Sequence, residues 1–301
     1  MTTGGFSCRH LAVVGLGLMG GSLALALRGV ADTITGVDSD PATRDYALKR
    51  QIVDHVTDDL RAGVSEADVV ILAAPVRAIN AMLKLRIGSY MRSNTLLIDI
   101  GSTKQDICRA MSELPIGILA VGGHPMTGKE SSGIEASDGD LYVGRPFVLC
   151  PTRRTTPAGR GRALAMVEAL RAVPIEMEAE RHDRVVAAIS HLPYLLSAAL
   201  VATVAREGQS DDAVWQLAAG GFRDMSRLAG SDVKMMGDIL STNTQAVATL
   251  LAMFRMQLAQ LEAMLISHDD QHLADALLPT REARLKWADR YGNGMNNGKQ
   301  S

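Results

Sequence analysis

Residues 11–20 read LAVVGLGLMG, an apolar run that feeds Gly15-x-Gly17-x-x-Gly20. A helical pattern follows, and the next apolar run closes on Val37-Asp38. Strand, glycine turn, helix, strand and acid form the dinucleotide-binding fingerprint in the context it requires. Gly15 permits the tight turn, Gly17 lets backbone approach a pyrophosphate, and Gly20 lets the helix lie against the sheet. The pyrophosphate is expected at the helix N-terminus, where unpaired N–H groups and the positive dipole end meet. Asp38 stands where an acid accepts the adenosine ribose hydroxyls and repels a 2′-phosphate. Residues 39–43 (SDPAT) carry no basic group, and Arg44 is the nearest. The expected cofactor is therefore NAD, with NADP disfavoured.

Working outward, residues 68–74 (DVVILAA), 95–100 (TLLIDI), 116–121 (IGILAV) and 146–150 (PFVLC) read as further strands, with 33–38 the second. Helical stretches lie near 18–29, 41–50, 77–85 and 104–113, then 161–172, and 174–178 returns as a last strand. This alternation predicts an α/β, Rossmann-type, doubly wound and mostly parallel sheet over residues 1–180, with ligands at the carboxyl ends of its strands. Residues 182–206, 211–228, 232–267 and 269–290 keep helical periodicity with few breaks. They predict an all-helical domain over 181–301 ending in a frayed tail. The apolar stripe of the long helix after Asp232 implies packing in a bundle or against a second subunit, so a homodimer through this domain is expected.

Composition narrows the partners. The 301 residues carry a net charge of −2, which favours neither nucleic acid nor an anionic membrane. The most apolar stretch, 187–205, contains His191 and Pro193 and does not read as a membrane span. Glycines around the first strand and Arg28 argue against a signal peptide there. Three scattered cysteines, Cys8, Cys108 and Cys150, fit a reducing cytoplasm. Aromatics make up 4% and methionines number 15, so the core must be largely aliphatic.

Polar clusters stand where such a sheet presents them. Ser102-Thr103-Lys104 follows TLLIDI, and its hydroxyls can cap the next helix or face a nicotinamide. Gly122-Gly123-His124-Pro125 follows IGILAV, where Pro125 restrains a histidine whose ordinary pKa suits a general base. Ser190-His191-Leu192-Pro193 interrupts an apolar helix, as a kink or as a second imidazole for the site. Arg223 and Arg227, four apart on one helix face, suit carboxylate binding, or a solvated pair with Asp224. His268 and His272 read as solvated, with no metal expected. The candidate cofactor contacts are Gly15, Gly17, Leu18, Met19, Gly20, Asp38, Ser39, Pro75 and Ser102.

GLGLMGGSLA, DIGSTK, GGHPMTGKESSG, SHLPYLLSAAL and GFRDMSRLAGSD, in this order over roughly residues 10–265, resemble the prephenate/arogenate (cyclohexadienyl) dehydrogenases of tyrosine biosynthesis. The resemblance implies a Rossmann-type domain followed by a helical dimerisation domain. It implies that His124 takes the proton of the substrate's ring hydroxyl, and that Ser102 orients His124 and touches the nicotinamide. It implies that Arg227 binds a substrate carboxylate with support from Arg223, and that His191 and Glu130 line the substrate pocket. Tyr194 and Met236 stand where many or some members carry His and Trp, which bears on substrate choice.

The expected reaction is oxidative decarboxylation: hydride leaves the ring carbon bearing the hydroxyl, carbon dioxide departs, and the ring becomes aromatic. An amino-substituted prephenate is an alternative substrate. A 3-hydroxyisobutyrate or 6-phosphogluconate type of dehydrogenase would need a catalytic lysine in the helical domain, for which Lys234 is the candidate. An NAD-bound regulatory dimer is the non-enzymatic alternative.

Overall fold

β1 (Cys8–Val14) is the hub of an eight-stranded sheet in the computed structural model, which describes residues 5–129 and 131–292. From it the chain runs through α1 (Leu18–Ala26), β2 (Ala31–Val37), α2 (Pro41–Lys49), β3 (His55–Thr57), α3 (Leu60–Val64), β4 (Val69–Leu72) and α4 (Val76–Lys84). It continues through β5 (Leu96–Asp99), α5 (Gln105–Ser112), β6 (Leu119–Pro125), β7 (Pro146–Pro151), α6 (Pro157–Ala169) and β8 (Val173–Glu176). The strand order is β3-β2-β1-β4-β5-β6-β7-β8. Every pairing is parallel except β6 with β7. The order reverses at β1, so the crevice between the carboxyl ends of β1 and β4 is the switch point where such sheets bind ligands.

β1, β4 and β5 read as apolar runs because both faces are covered. One face packs Leu11, Val13, Ile71 and Ile98 with Leu23 and Leu27, and the other packs Ala12, Val14, Val70 and Leu72 with Ile79 and Ile107. The expected strands are present with ends shifted by a few residues. β3 was not expected: three residues, pairing with Thr35–Val37, give too short a period to read. β6 extends through Gly122, Gly123, His124 and Pro125, residues expected to follow the strand, because β7 pairs with them antiparallel.

After β8 every element among the described residues is helical. α7 (Ala179–Val186) passes through a π turn (Ala187–His191) into α8 (Leu192–Glu207). Next come α9 (Ala213–Gln216), α10 (Gly220–Ser226), a 3-10 turn (Arg227–Gly230), α11 (Val233–Thr242), α12 (Thr244–Ile266) and α13 (Asp270–Tyr291). The helix expected over 232–267 is broken at Asn243, whose φ is −133° and whose amide is drawn into tertiary hydrogen bonds.

Compact packing divides the chain into Met1–Val247 and Ala248–Ser301. In the second unit Met253, Met256, Leu265, Ile266, Leu278 and Trp287 are exposed. The stretches Ala179–Glu207 and Thr244–Ile266 have the length and mean hydropathy of a membrane span, contrary to the sequence expectation. The first carries His182, Asp183 and His191 in buried, hydrogen-bonded positions, as a helix of a folded core does.

Candidate active site

The glycine turn has the shape its sequence requires. Gly15 has φ +95°, and a Cβ there would lie 2.6 Å from the Ala73 carbonyl oxygen. At Gly20 a Cβ would lie 1.9 Å from the Gly15 oxygen, so the helix start rests directly on the turn. Gly17, by contrast, is exposed and a Cβ would meet nothing within 4 Å. No side chain caps α1, so its first N–H groups are left for an anion. Leu18 and Met19 open this helix, half-buried, and the Tyr142 hydroxyl donates to the Met19 carbonyl at 2.7 Å.

Asp38 follows β2 directly. Its carboxylate accepts from the Leu16 N–H at 2.8 Å and from the Asp40 N–H at 2.9 Å, which pins the turn and leaves further lone pairs for ribose hydroxyls. Ser39 beside it is exposed. Arg44 donates to the Asp38 carbonyl at 2.6 Å and pairs with Asp58 at 3.4 Å, so the nearest cation is already engaged. Pro75 stands at the N-cap position of α4 just beyond β4, at the same edge. These residues fit a dinucleotide with a free 2′-hydroxyl.

The carboxyl edge of the sheet also carries His124, near the end of β6 and half-buried. Its neighbours Gly122 and Gly123 allow the strand to pass close to others: a Cβ on Gly123 would lie 2.4 Å from the Asp99 oxygen. His124 Nδ1 lies 2.8 Å from Nε2 of His182, and His182 Nδ1 lies 2.8 Å from Oδ1 of Asp183. The order of donors follows from the carboxylate end. Asp183 only accepts, so His182 donates through Nδ1 and accepts through Nε2. His124 must then donate through Nδ1, which leaves a lone pair on its Nε2. The chain of three residues thereby fixes the tautomer a general base needs.

Asp183 has a second task. Its oxygens accept from the backbone N–H groups of Lys104 at 2.7 Å and Gln105 at 2.9 Å. It caps α5 from α7, a task the sequence offered to the Ser102 and Thr103 hydroxyls. Thr103 instead bonds Thr242 on α11 at 2.9 Å, and Ser102 is half-buried at the end of β5. The ring partner of His124 is thus His182 and not Ser102, whose remaining candidate role is at the cofactor.

Lys104 is fully buried and forms an ion pair with Asp99, also fully buried. Asp99 accepts in addition from the N–H groups of Gly101 at 2.8 Å and Gly123 at 3.1 Å. Burial, then His182, then Lys104, then His191 push the His124 pKa well below 6.5. A neutral imidazole is what a base requires, and desolvation with surrounding positive character supplies it.

His191 closes the π turn and is buried. Asn243 Nδ2 bridges it to the main chain, 3.2 Å from His191 Nδ1 and 2.8 Å from the Asp183 oxygen. Burial lowers the His191 pKa to about 4, against the opposing influence of Asp183. A π turn shifts the side chains that follow it relative to a regular helix, which suits a residue aimed at a site.

The remaining candidates lie on the helices after the π turn or outside the described residues. Arg223 on α10 is exposed and paired with Asp224 at 3.3 Å, and Arg227 at the following turn is exposed. Lys234 on α11 is exposed. Glu130 lies outside the described residues.

Two family models match the chain: "Prephenate dehydrogenase, nucleotide-binding domain" over residues 22–176 and "Prephenate dehydrogenase, dimerization domain" over residues 178–278. A cyclohexadienyl dehydrogenase of Zymomonas mobilis is 30% identical over 280 residues, covering 92% of this chain and 95% of its own. The chain belongs to the prephenate dehydrogenase family. Among solved structures, the Aquifex aeolicus prephenate dehydrogenase in complex with hydroxyphenyl propionate and NAD+ superposes with a TM-score of 0.86 at 29% identity, covering 93% and 99% of the two chains. The arogenate dehydrogenase of Synechocystis gives 0.79 at 32% identity, covering 92% and 99%.

Within this prephenate dehydrogenase family fold, sequence reading missed His182, Asp183 and Asn243. Each lies in an ordinary helical pattern, and none has a local signal beyond being polar in a segment that otherwise packs.

Proposed function

We propose that the chain catalyses the NAD-dependent oxidative decarboxylation of prephenate, arogenate or both, a step of tyrosine biosynthesis. The observation that carries the reading is His124 at the carboxyl edge of the sheet, with its Nε2 lone pair fixed by His182 and Asp183. Bound NAD would supply the hydride acceptor, held by the glycine turn and Asp38. His124 takes the proton of the ring hydroxyl as the carbon beneath it is oxidised. The ring carboxylate leaves as carbon dioxide, and aromatisation drives the step, so the protein's work is positioning and charge stabilisation. Ser102 serves the nicotinamide side. His191, whose Nδ1 is occupied by Asn243, offers its Nε2–H to a substrate oxygen, and Arg223, Arg227 and Glu130 serve the substrate's charged groups.

The test is a parallel assay of prephenate, arogenate and an amino-substituted prephenate with NAD and with NADP, following reduced cofactor. NAD-dependent turnover of prephenate or arogenate is expected. No turnover of either would return the chain to the regulatory reading.

We also propose the division at residue 180, residence in the cytoplasm, and a homodimer formed through the helical region. The exposed side chains Leu217, Met225 and Val233, and separately those of α12 and α13, support the dimer, because such apolar surface is uncommon on a monomer. Light scattering is expected to give twice the mass of one chain, and a monomer at micromolar concentration would refute it.

A further inference from the structure

We infer that His182 and Asp183 form a proton store: the proton His124 takes from the substrate displaces the Nδ1 proton of His124 onto His182, and returns by the same route. The inference rests on the dehydrogenase reading above. It goes beyond His124 as a lone base and assigns a role to two residues that no sequence motif marked.

The geometry supplies an unbroken path. His124 Nδ1 donates to His182 Nε2 over 2.8 Å, and His182 Nδ1 donates to Asp183 over 2.8 Å. When the ring O–H bond breaks, its proton bonds to His124 Nε2. In the same step the Nδ1–H bond of His124 breaks and that proton bonds to His182 Nε2. His182 keeps its Nδ1–H, so the positive charge comes to rest on the imidazole that touches a carboxylate.

The surroundings make that the favourable place. His124 faces the Lys104 ammonium from the β5–α5 turn and His191 from the π turn. Asp99 is spent on Lys104 and two backbone N–H groups. His182 also faces His191, but it alone faces Asp183 directly. Moving one proton over one hydrogen bond therefore separates like charges and joins unlike ones.

The reaction's balance explains why the store is closed. Hydride leaves the ring carbon, the carboxylate leaves as carbon dioxide, and the pair of electrons it leaves behind ends on the ring oxygen. That oxygen needs a proton to become a phenol. The proton taken at the start is the one required at the end, so no net proton goes to solvent. His182 is 1% exposed and Asp183 3% exposed, which suits a proton that is kept and given back.

Two measurements test this. In the wild-type enzyme, kcat for the step measured in mixtures of light and heavy water is expected to bow, since two protons move together; a linear dependence overturns the relay. In His182→Gln the glutamine oxygen still accepts from His124 Nδ1 but cannot take the proton. We expect the substrate KM to stay within about twofold and kcat to fall about 10–100-fold, the scale of one general acid–base contribution weakened. The solvent dependence should become linear, and the acid limb of the pH–kcat profile should move to higher pH, because His182 no longer helps to lower the His124 pKa. Tm and NADH binding report folding, and if this variant does not fold the wild-type curve still decides. An unchanged kcat, pH profile and solvent curve in His182→Gln would overturn the store while leaving His124 as base. Absence of NADH formation from both prephenate and arogenate in the wild type would instead overturn the dehydrogenase reading itself.

Discussion

Replacing His124 by asparagine lowers kcat about 10²–10⁴-fold while the KM values for substrate and NAD change little, the scale of a lost general base. Asparagine is close in size to the imidazole's near half and can still donate an amide N–H toward His182. It has no basic lone pair. The loss corresponds to about 3–5 kcal/mol of transition-state stabilisation at 1.36 kcal/mol per tenfold. The pH profile adds a second signature. In the wild type, burial and then the neighbouring His182 and Lys104 hold the His124 pKa well below 6.5. The base is thus neutral at pH 6.5, and activity falls only as pH drops through that lowered pKa. In the asparagine variant the acid limb assigned to His124 disappears. Steady-state kinetics between pH 5 and 9, a range chosen to bracket the ordinary histidine value, measure both effects. Wild-type turnover in His124→Asn would refute the assignment.

Replacing Lys104 by methionine lowers stability by about 3–5 kcal/mol, because it leaves a buried carboxylate without its cation. Both partners are fully buried, so water cannot take the place of the missing charge. The consequence reaches the active site through one backbone path. Asp99 holds the N–H groups of Gly101 and Gly123, the residues that lead to Ser102 and His124. An Asp99 that must gain a proton loosens both strand ends together. A thermal melt is expected to show Tm lowered by several degrees, and a double-mutant cycle with Asp99→Asn should show that the two losses do not add. A Tm equal to that of the wild type would mean that the pair is not the anchor of this edge.

How much of this was legible beforehand follows from the range of each interaction. The glycine turn, its flanking strands and Asp38 are separated by a few residues to about one βαβ unit, and their spacing is a direct imprint of local geometry. The sheet was readable because each buried strand is an apolar run with a helix beyond it. β3 and the extension of β6 were not, since both exist only through a neighbouring strand. The long helix after Asp232 was legible as periodicity, yet its break at Asn243 comes from an amide held by Asp183 and His191, residues 60 and 52 positions away.

The sequence by itself determined a Rossmann-type chain with a cofactor turn, an acid suited to an unphosphorylated ribose, and a histidine presented at a strand end. These are properties of short segments whose residue types dictate their own backbone. Tertiary structure alone decided which nitrogen of His124 is the base. That choice depends on His182, 58 residues away, and on Asp183, which caps α5 across 79 residues. A hydrogen-bond tautomer is set by which partner lies within about 3 Å. Such contacts join positions whose separation leaves no periodic trace in the chain.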